Sequence, residues 1–115
     1  MGRNITYREL DMHSGLLKRT FEATLPSGKI VAVEAERLVS IVQDEIGTIS
    51  YSVTPKNFSG KIELCSYLDF DVENEDSNYD EKFWEPVTQG QEAGASYVHA
   101  KTKKTGFEVT VAMRN

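Results

Sequence analysis

The amino-acid sequence predicts an all-β fold, an antiparallel β-sandwich, and three observations carry this prediction. Residues 10–41 form two arms in which apolar and polar residues alternate, the period of a strand with one buried face. Further runs of the same period follow, separated by turn residues roughly every 10 positions. No stretch of the chain has a long helical period. We predict one domain over residues 1–115, with an acidic and polar loop region at residues 69–95.

The chain opens with a predicted strand at residues 3–12, which a Ser-Gly pair ends. The long hairpin then turns at residues 26–29, where Pro26 sets φ for the turn and Gly28 adopts a positive φ at no steric cost. The predicted inward face of this hairpin is apolar apart from two arginines. Its apolar members are Leu17, Phe21, Ala23 and Leu25 on the first arm and Val31, Val33, Ala35, Val39 and Ile41 on the second.

The two arginines of that face are Arg19 and Arg37. One interpretation is a buried ion pair with Glu22 or with an acid of residues 69–85. The other is that the aliphatic stem covers apolar surface while the guanidinium reaches water at the edge. We favour the second interpretation, because a buried ion pair seldom repays the cost of removing both charges from water.

The remaining strands follow from the same alternation. Residues 48–54 form a third long strand and residues 62–68 a fourth, followed by the acidic loop with room for a helical turn at residues 80–84. Residues 88–95 are rich in Gly, Gln, Glu and Ala and are expected to be loop. Two closing strands flank a Lys-Lys-Thr-Gly turn, at residues 97–100 and 107–113.

Composition excludes several classes of protein. No apolar run approaches the roughly 20 residues of a membrane span, and the N-terminus lacks the apolar core of a signal peptide. Residues 69–85 hold eight acids and one lysine, so the acidity of a chain with net charge −5 is concentrated there. Elsewhere no basic cluster is interleaved with aromatic residues, which argues against nucleic acid as a partner. The single cysteine, Cys65, indicates a reducing, cytoplasmic location, and we expect it to be a small core residue.

Catalytic and metal-binding patterns are weak. His13 and His99 have no partner in a nucleophile motif and are expected to be ordinary loop or strand residues. Residues 76–80 match the first half of a calcium loop, but Glu81 stands where the sharp turn needs glycine. We therefore predict no catalytic residue, no metal and no cofactor in this chain.

Ordered pieces of sequence over residues 8–114 resemble the N-terminal β-sandwich domain of glycoside hydrolase family 65, the family of maltose, kojibiose and trehalose phosphorylases. The resemblance implies part of a galactose-mutarotase-like super-sandwich. The pieces are Leu10-Asp11-Met12 with Gly15, Leu17 and Arg19; Pro26-Ser27-Gly28-Lys29; Arg37 with Ser40; Thr54-Pro55 with Asn57-Phe58-Ser59-Gly60; Leu68-Asp69; and Asn78-Tyr79-Asp80 with Phe83-Trp84. His13 departs from the pattern, since the family is expected to carry a basic residue there.

The resemblance also implies where the chemistry lies. In the family, a glutamate of an (α/α)6 barrel is the general acid, and inorganic phosphate, as co-substrate, attacks the anomeric carbon with inversion. Nothing in these 115 residues is barrel-like, so we expect an inert fragment whose partner is the missing barrel. We also expect self-association through strand edges that the parent protein would pair. The alternative is a free-standing carbohydrate-binding or interaction module of sandwich fold.

Three aromatic residues are the candidate substrate-binding residues in the full-length parent: Tyr79, Phe83 and Trp84. Large aromatic side chains are costly to leave in water, and their faces stack well on sugar rings, so this segment is expected to pack near the mouth of the active site. The competing interpretation is that Phe83 and Trp84 only anchor the acidic loop to its own sandwich.

Overall fold

The computed structural model describes residues 2–73 and 82–115, and these residues form seven strands and no helix. The strands are β1 (Gly2–Asp11), β2 (Leu16–Thr24), β3 (Ile30–Val39), β4 (Gly47–Pro55), β5 (Trp84–Glu92), β6 (Ala95–Thr102) and β7 (Glu108–Arg114). They make a four-stranded sheet of order β1-β2-β3-β4 and a three-stranded sheet of order β5-β6-β7, with every pairing antiparallel. The predicted all-β antiparallel class is confirmed.

The chain divides into two compact units, Met1–Ile62, which holds the first sheet, and Glu63–Asn115, which holds the second. The single domain over residues 1–115 stays a prediction. The described residues contain no helix that is long and apolar enough to cross a bilayer.

The hairpin β2–β3 has the predicted turn and register. The Leu25 amide donates to the Lys29 carbonyl at 2.8 Å, and the Gly28 amide donates to the Leu25 carbonyl at 2.9 Å. Phe21 pairs with Val33 and Ala23 pairs with Val31, so the predicted apolar residues share one face. Ala23, Val31 and Val33 form a buried cluster, against which Phe21, Val53 and Phe58 pack.

The burial of this face fades along the sheet. Ala23 is 1% exposed at one end, whereas Leu10, Leu17 and Ile49 are 59%, 38% and 69% exposed at the other. Leu10, Leu17, Arg37 and Ile49 lie opposite one another in a single row across the four strands. We call this row the open end of the first sheet.

The two arginines of the face differ: Arg37 follows the favoured interpretation, whereas the Nε and Nη2 atoms of Arg19 are buried and do not reach water as predicted. Arg37 is exposed, as expected for a guanidinium that reaches water. The guanidinium carbon of Arg19 lies 5.0 Å from the centre of the Phe21 ring, a cation–π contact on partly buried surface. Glu22, considered as an arginine partner, lies within 3.9 Å of the Lys56 ammonium instead.

Asn57 ties the loop after β4 to the central hairpin. Its Oδ1 accepts the Ile30 amide at 2.7 Å, and its Nδ2 donates to the Gly28 carbonyl at 3.1 Å. Next to it, the Lys29 ammonium lies 5.1 Å from the centre of the Phe58 ring. Two separate sequence pieces of the family resemblance, residues 26–29 and 57–60, are therefore in contact.

The second sheet is built on a tight turn and a close approach. Ala93 and Gly94 join β5 to β6 with φ of 49° and 78°, the pair of positive values that two-residue hairpin turns adopt. Gly90 lies opposite Tyr97, and a Cβ on Gly90 would come within 2.7 Å of the Tyr97 hydroxyl. The absence of a side chain at Gly90 thus makes room for the tyrosine ring.

Three local predictions were wrong. Residues 88–95 are largely strand, because pairing with β6 overrides the weak strand propensity of Gly, Gln and Glu. The predicted loop region of residues 69–95 is therefore replaced from Trp84 onward by strand β5. Residues 62–68 form no strand. Apolar alternation indicates which side chains would share a face, but a strand also needs a neighbouring strand edge with which to form hydrogen bonds. Cys65 accordingly lies outside any strand and is exposed rather than part of the core.

Replacing Asn57 with alanine is expected to lower the free energy of unfolding by about 1–2 kcal/mol, because two hydrogen bonds between the loop and the hairpin turn are lost. Urea denaturation followed by circular dichroism measures the change. Ser59→Ala on the same exposed loop is the matched control and should stay within about 0.5 kcal/mol of wild type. Equal stability of Asn57→Ala and wild type would contradict the role given to Asn57.

Candidate functional site

Two of the three predicted aromatic residues, Phe83 and Trp84, lie at the start of the second sheet. Trp84 is the first residue of β5, opposite Thr102, and both Phe83 and Trp84 are half-buried. Tyr79 lies outside the described residues, so the structure brings together two of the three candidates. The position of Trp84 at the start of β5 follows from pairing with Thr102 of β6.

Trp84 packs against Phe70, a residue that the sequence analysis did not single out. The two ring centres are 5.3 Å apart with an angle of 77° between the planes, the edge-to-face arrangement that aromatic pairs prefer. The Phe83 carbonyl accepts the Lys103 amide at 2.8 Å. These contacts support the anchoring interpretation of Phe83 and Trp84, while sugar contact stays a prediction. In the sequence, only the alternation of Phe70 with polar residues could have indicated a role for it.

An ion pair between Asp71 and Lys82 lies close in sequence to Phe70 and Trp84. The Lys82 ammonium lies 2.6 Å from Oδ1 of Asp71, whose own amide donates to Oδ1 of Asp69 at 2.8 Å. The hydrogen bond from Lys82, and secondarily its charge, holds the pKa of the Asp71 carboxyl below its usual range. The same hydrogen bond and the Asp71 charge raise the pKa of Lys82. Both groups are solvated, so the pair orders the ends of the acidic segment rather than forming a buried charge centre.

Charged side chains also lie across the second sheet beyond Trp84. The Lys101 ammonium lies 3.0 Å from Glu85 on β5, and His99 Nε2 lies 3.2 Å from Glu108 on β7. The hydrogen bond with Glu85, followed by its charge, raises the pKa of Lys101. This part of the sheet is a solvated row of alternating charges. Such a row can position a ligand by hydrogen bonds, but it offers no nucleophile.

The polar face of the first sheet forms a groove that sequence reasoning missed. Its volume is about 490 Å³, and its lining residues are Thr20, Phe21, Glu22, Ala32, Val33, Glu34, Ser52 and Thr54. Lys18 lies within 3.2 Å of Glu34 and 3.8 Å of Glu36 on the same face, and the hydrogen bond with Glu34 raises the pKa of Lys18. Glu34 and Glu36 thus share a cationic neighbour on the adjacent strand, and Glu22 has the Lys56 ammonium, just after β4, within 3.9 Å.

The histidines match their predicted ordinary roles. His13 lies in the turn between β1 and β2, where its amide donates to Oδ1 of Asp11 at 3.0 Å. That bond and those from Ser14 hold the pKa of Asp11 low, the Ser14 side chain contributing most. His99 lies on β6, within hydrogen-bonding distance of Glu108. Within residues 2–73 and 82–115, no three His, Cys, Asp or Glu side chains gather as metal ligands. The calcium-like residues 76–80 lie outside that part of the chain.

Residues 5–115 match the family model described as "Glycosyl hydrolase family 65, N-terminal domain". The match covers nearly the whole chain, including both sheets. The chain belongs to family 65. The resemblance drawn from the sequence is thereby confirmed, and it concerns the N-terminal domain of the family.

Family 65 phosphorylases are similar to this chain over most of its length. The α,α-trehalose phosphorylase of Thermoanaerobacter brockii is 33% identical over 94% of the chain, and the maltose phosphorylase of Bacillus subtilis is 34% identical over 86%. The kojibiose phosphorylase of Halothermothrix orenii is 28% identical over 96%. The matched region is only 15%, 13% and 14% of those three proteins, respectively.

The Asp71–Lys82 pair predicts a pH dependence of stability. A carboxyl whose pKa is lowered in the folded state stabilises the fold above its unfolded pKa, and this contribution disappears as the pH falls through the folded value. Asp71→Asn should therefore be less stable than wild type at about pH 7, and the difference should close below about pH 4. Urea denaturation across this range measures it.

The same difference should shrink in high salt, because the pair is exposed. Asp44→Asn, in the exposed loop between β3 and β4, is the matched control for removing one surface carboxylate. A difference between Asp71→Asn and wild type that is constant from neutral to acidic pH would contradict the ion pair.

Proposed function

We propose that this chain is a non-catalytic N-terminal part of a family 65 enzyme that acts on α-glucosidic disaccharides of the maltose, kojibiose or trehalose type. Membership of the family supports the proposal, as do relatives that are phosphorylases of these three sugars. The parent is proposed to be a cytoplasmic, inverting disaccharide phosphorylase, with inorganic phosphate as co-substrate, or a glycoside hydrolase. The bond-breaking residues would lie in an (α/α)6 barrel outside these 115 residues.

The observation that carries this proposal is the open end of the first sheet. Leu10, Leu17 and Ile49 continue the apolar face of the buried core but are 59%, 38% and 69% exposed. Ile41 and Val42, in the loop that joins β3 to β4, are 96% and 94% exposed. Several large apolar side chains exposed at one end of a sheet are typical of an interface. We take its occupant to be the remainder of a family 65 enzyme, because the matched region is 13–15% of the relatives.

The polar residues of this face fit the same occupant. Arg8 and Arg19 are paired directly across β1 and β2, and Arg37 and Tyr51 lie on the neighbouring strands of the same face. Within residues 6–10, 17–23, 31–39 and 49–55 of the four strands, no acid or lysine lies on this face. By alternation, the charged residues Glu9, Lys18, Glu22, Glu34 and Glu36 point to the opposite face. Interfaces are enriched in arginine, tyrosine and apolar residues and depleted of lysine and acids.

The aromatic residues are proposed to act at the mouth of the active site of the full-length parent. Tyr79, Phe83 and Trp84 would contact the disaccharide through their ring faces. Both Phe83 and Trp84 are half-buried. The Trp84 ring packs on Phe70 and the Phe83 carbonyl accepts the Lys103 amide, and these contacts give the rigid support that a binding residue needs.

A second candidate function is a free-standing carbohydrate-binding or interaction module. It is favoured by an uncharged groove on the second sheet, which Gln89, Gln91 and Ser96 line. In that case the edge strands β1 and β4 would be available for pairing between copies, and self-association through strand edges would be a property of the chain itself.

The function is tested by assaying maltose, kojibiose and trehalose with inorganic phosphate. The full-length gene product is expected to release glucose 1-phosphate from at least one of them, and the purified 115-residue chain from none. In the full-length enzyme, Trp84→Ala is expected to raise KM about 10-fold through the loss of stacking on the sugar. Turnover by the 115-residue chain would refute the proposal, and unchanged KM and kcat with a lower melting temperature would leave Trp84 only the anchoring role.

The open end is tested in the full-length enzyme by Ile49→Asp. A carboxylate buried in an apolar interface is expected to cost several kcal/mol, so the melting temperature should fall by roughly 5 °C or more. Ser50→Asp is the matched control, because the neighbouring residue points to the opposite face of β4. Equal melting temperatures of the two variants would contradict an interface at this end of the sheet.

A further inference from the structure

A groove in the second unit has a lining unlike the rest of the chain. Its volume is about 370 Å³, within the range of about 300–1,000 Å³ typical of ligand sites. The segment Ser66, Tyr67 and Leu68 forms one wall, and strands β5, β6 and β7 form the other. Gln89, Gly90, Gln91, Ser96, Tyr97, Val98 and Met113 line the strand side.

The register of the sheet identifies the side chains that face this groove. Gln89 is paired with Val98 and Gln91 with Ser96, whose other neighbour is Met113. These five residues share one face by strand alternation, whereas Gly90 and Tyr97 share the other. Two amides therefore stand two residues apart along β5, with a serine hydroxyl on the next strand.

The groove is electrically neutral. None of its ten lining residues carries a charge, although 27% of the residues in the chain are charged. The charged residues of the second sheet are Glu85, Lys101 and Glu108 toward its other end and Glu92 and Arg114 beside the turn, and by strand alternation all five point to the face opposite Gln89 and Gln91. A charged ligand would find no counter-charge in the lining and would have to give up water without compensation.

The remaining lining is amphipathic. Tyr67 is 76% exposed and presents a large ring beside the two glutamines, while Val98 and Met113 provide an apolar floor. Amides and hydroxyls both donate and accept hydrogen bonds, and an exposed ring offers a flat apolar surface. A ligand that combines many hydroxyls, no charge and an apolar face matches each of these features.

We infer that this groove is a surface binding site for a neutral saccharide, a mono- or disaccharide held by Gln89, Gln91 and Ser96 with its ring against Tyr67. The site is distinct from the residues Phe83 and Trp84. The inference does not depend on the proposed function, since it rests on the groove alone. An open groove of this size is expected to bind in the millimolar range.

The glutamines of the chain permit a direct test. There are three, and the third, Gln43, lies in the loop between β3 and β4, so the side-chain amide signals contain their own control. Titrating the ¹⁵N-labelled 115-residue chain with maltose, and separately with trehalose, should shift the Gln89 and Gln91 side-chain signals and leave Gln43 in place. Added sodium chloride should not weaken the interaction.

Gln91→Ala should weaken binding about fivefold, the equivalent of one hydrogen bond, whereas Gln43→Ala should leave it unchanged. Both residues are exposed, so both variants are expected to keep the wild-type backbone spectrum. Three results would each overturn the inference: no shift with either sugar up to about 0.1 M, equal shifts at Gln43 and Gln91, or wild-type affinity of Gln91→Ala. The turnover assay of the full-length enzyme is independent of all three.

Discussion

The pairing of β2 with β3 is the constraint on which the first sheet depends. Phe21 opposite Val33 and Ala23 opposite Val31 place the apolar residues on one face and the carboxylates of Glu22 and Glu34 on the other. A slip by one residue would exchange the two faces, so the buried cluster and the register specify each other. Asn57 then fixes the loop after β4 to the turn of the same hairpin and extends this constraint to the fourth strand.

The second sheet uses a different strategy. Its edge strand β5 is poor in strand-forming residues, and its geometry comes from the positive-φ turn at Ala93 and Gly94 and from the ring of Tyr97 against Gly90. By register, Glu85, Lys101, Glu108, Glu92 and Arg114 share one face of this sheet, and the amides and the hydroxyl of the groove lie on the other. One face of this short sheet is therefore charged, and the other holds the neutral groove.

Membership of family 65 does not by itself show that this chain carries the chemistry of the family. The matched region is 13–15% of the related phosphorylases. A fold positions side chains, whereas an activity needs a specific constellation of groups. The exposed row of Leu10, Leu17 and Ile49 is what an accessory part is expected to present, an apolar face continued beyond the residues that its own unit covers.

The sequence by itself determined the all-β class, the hairpin of β2 and β3, the strand β4, the turns and the family. Period-two alternation and turn residues report local geometry directly, and family motifs remain legible in order along the chain. Only the tertiary structure decided that β5 is a strand, that residues 62–68 are not, that Cys65 is exposed and that Phe70 is the partner of Trp84. Each of these depends on which edge or ring lies alongside, and a neighbour distant in the chain leaves no periodic signal in the residues it contacts.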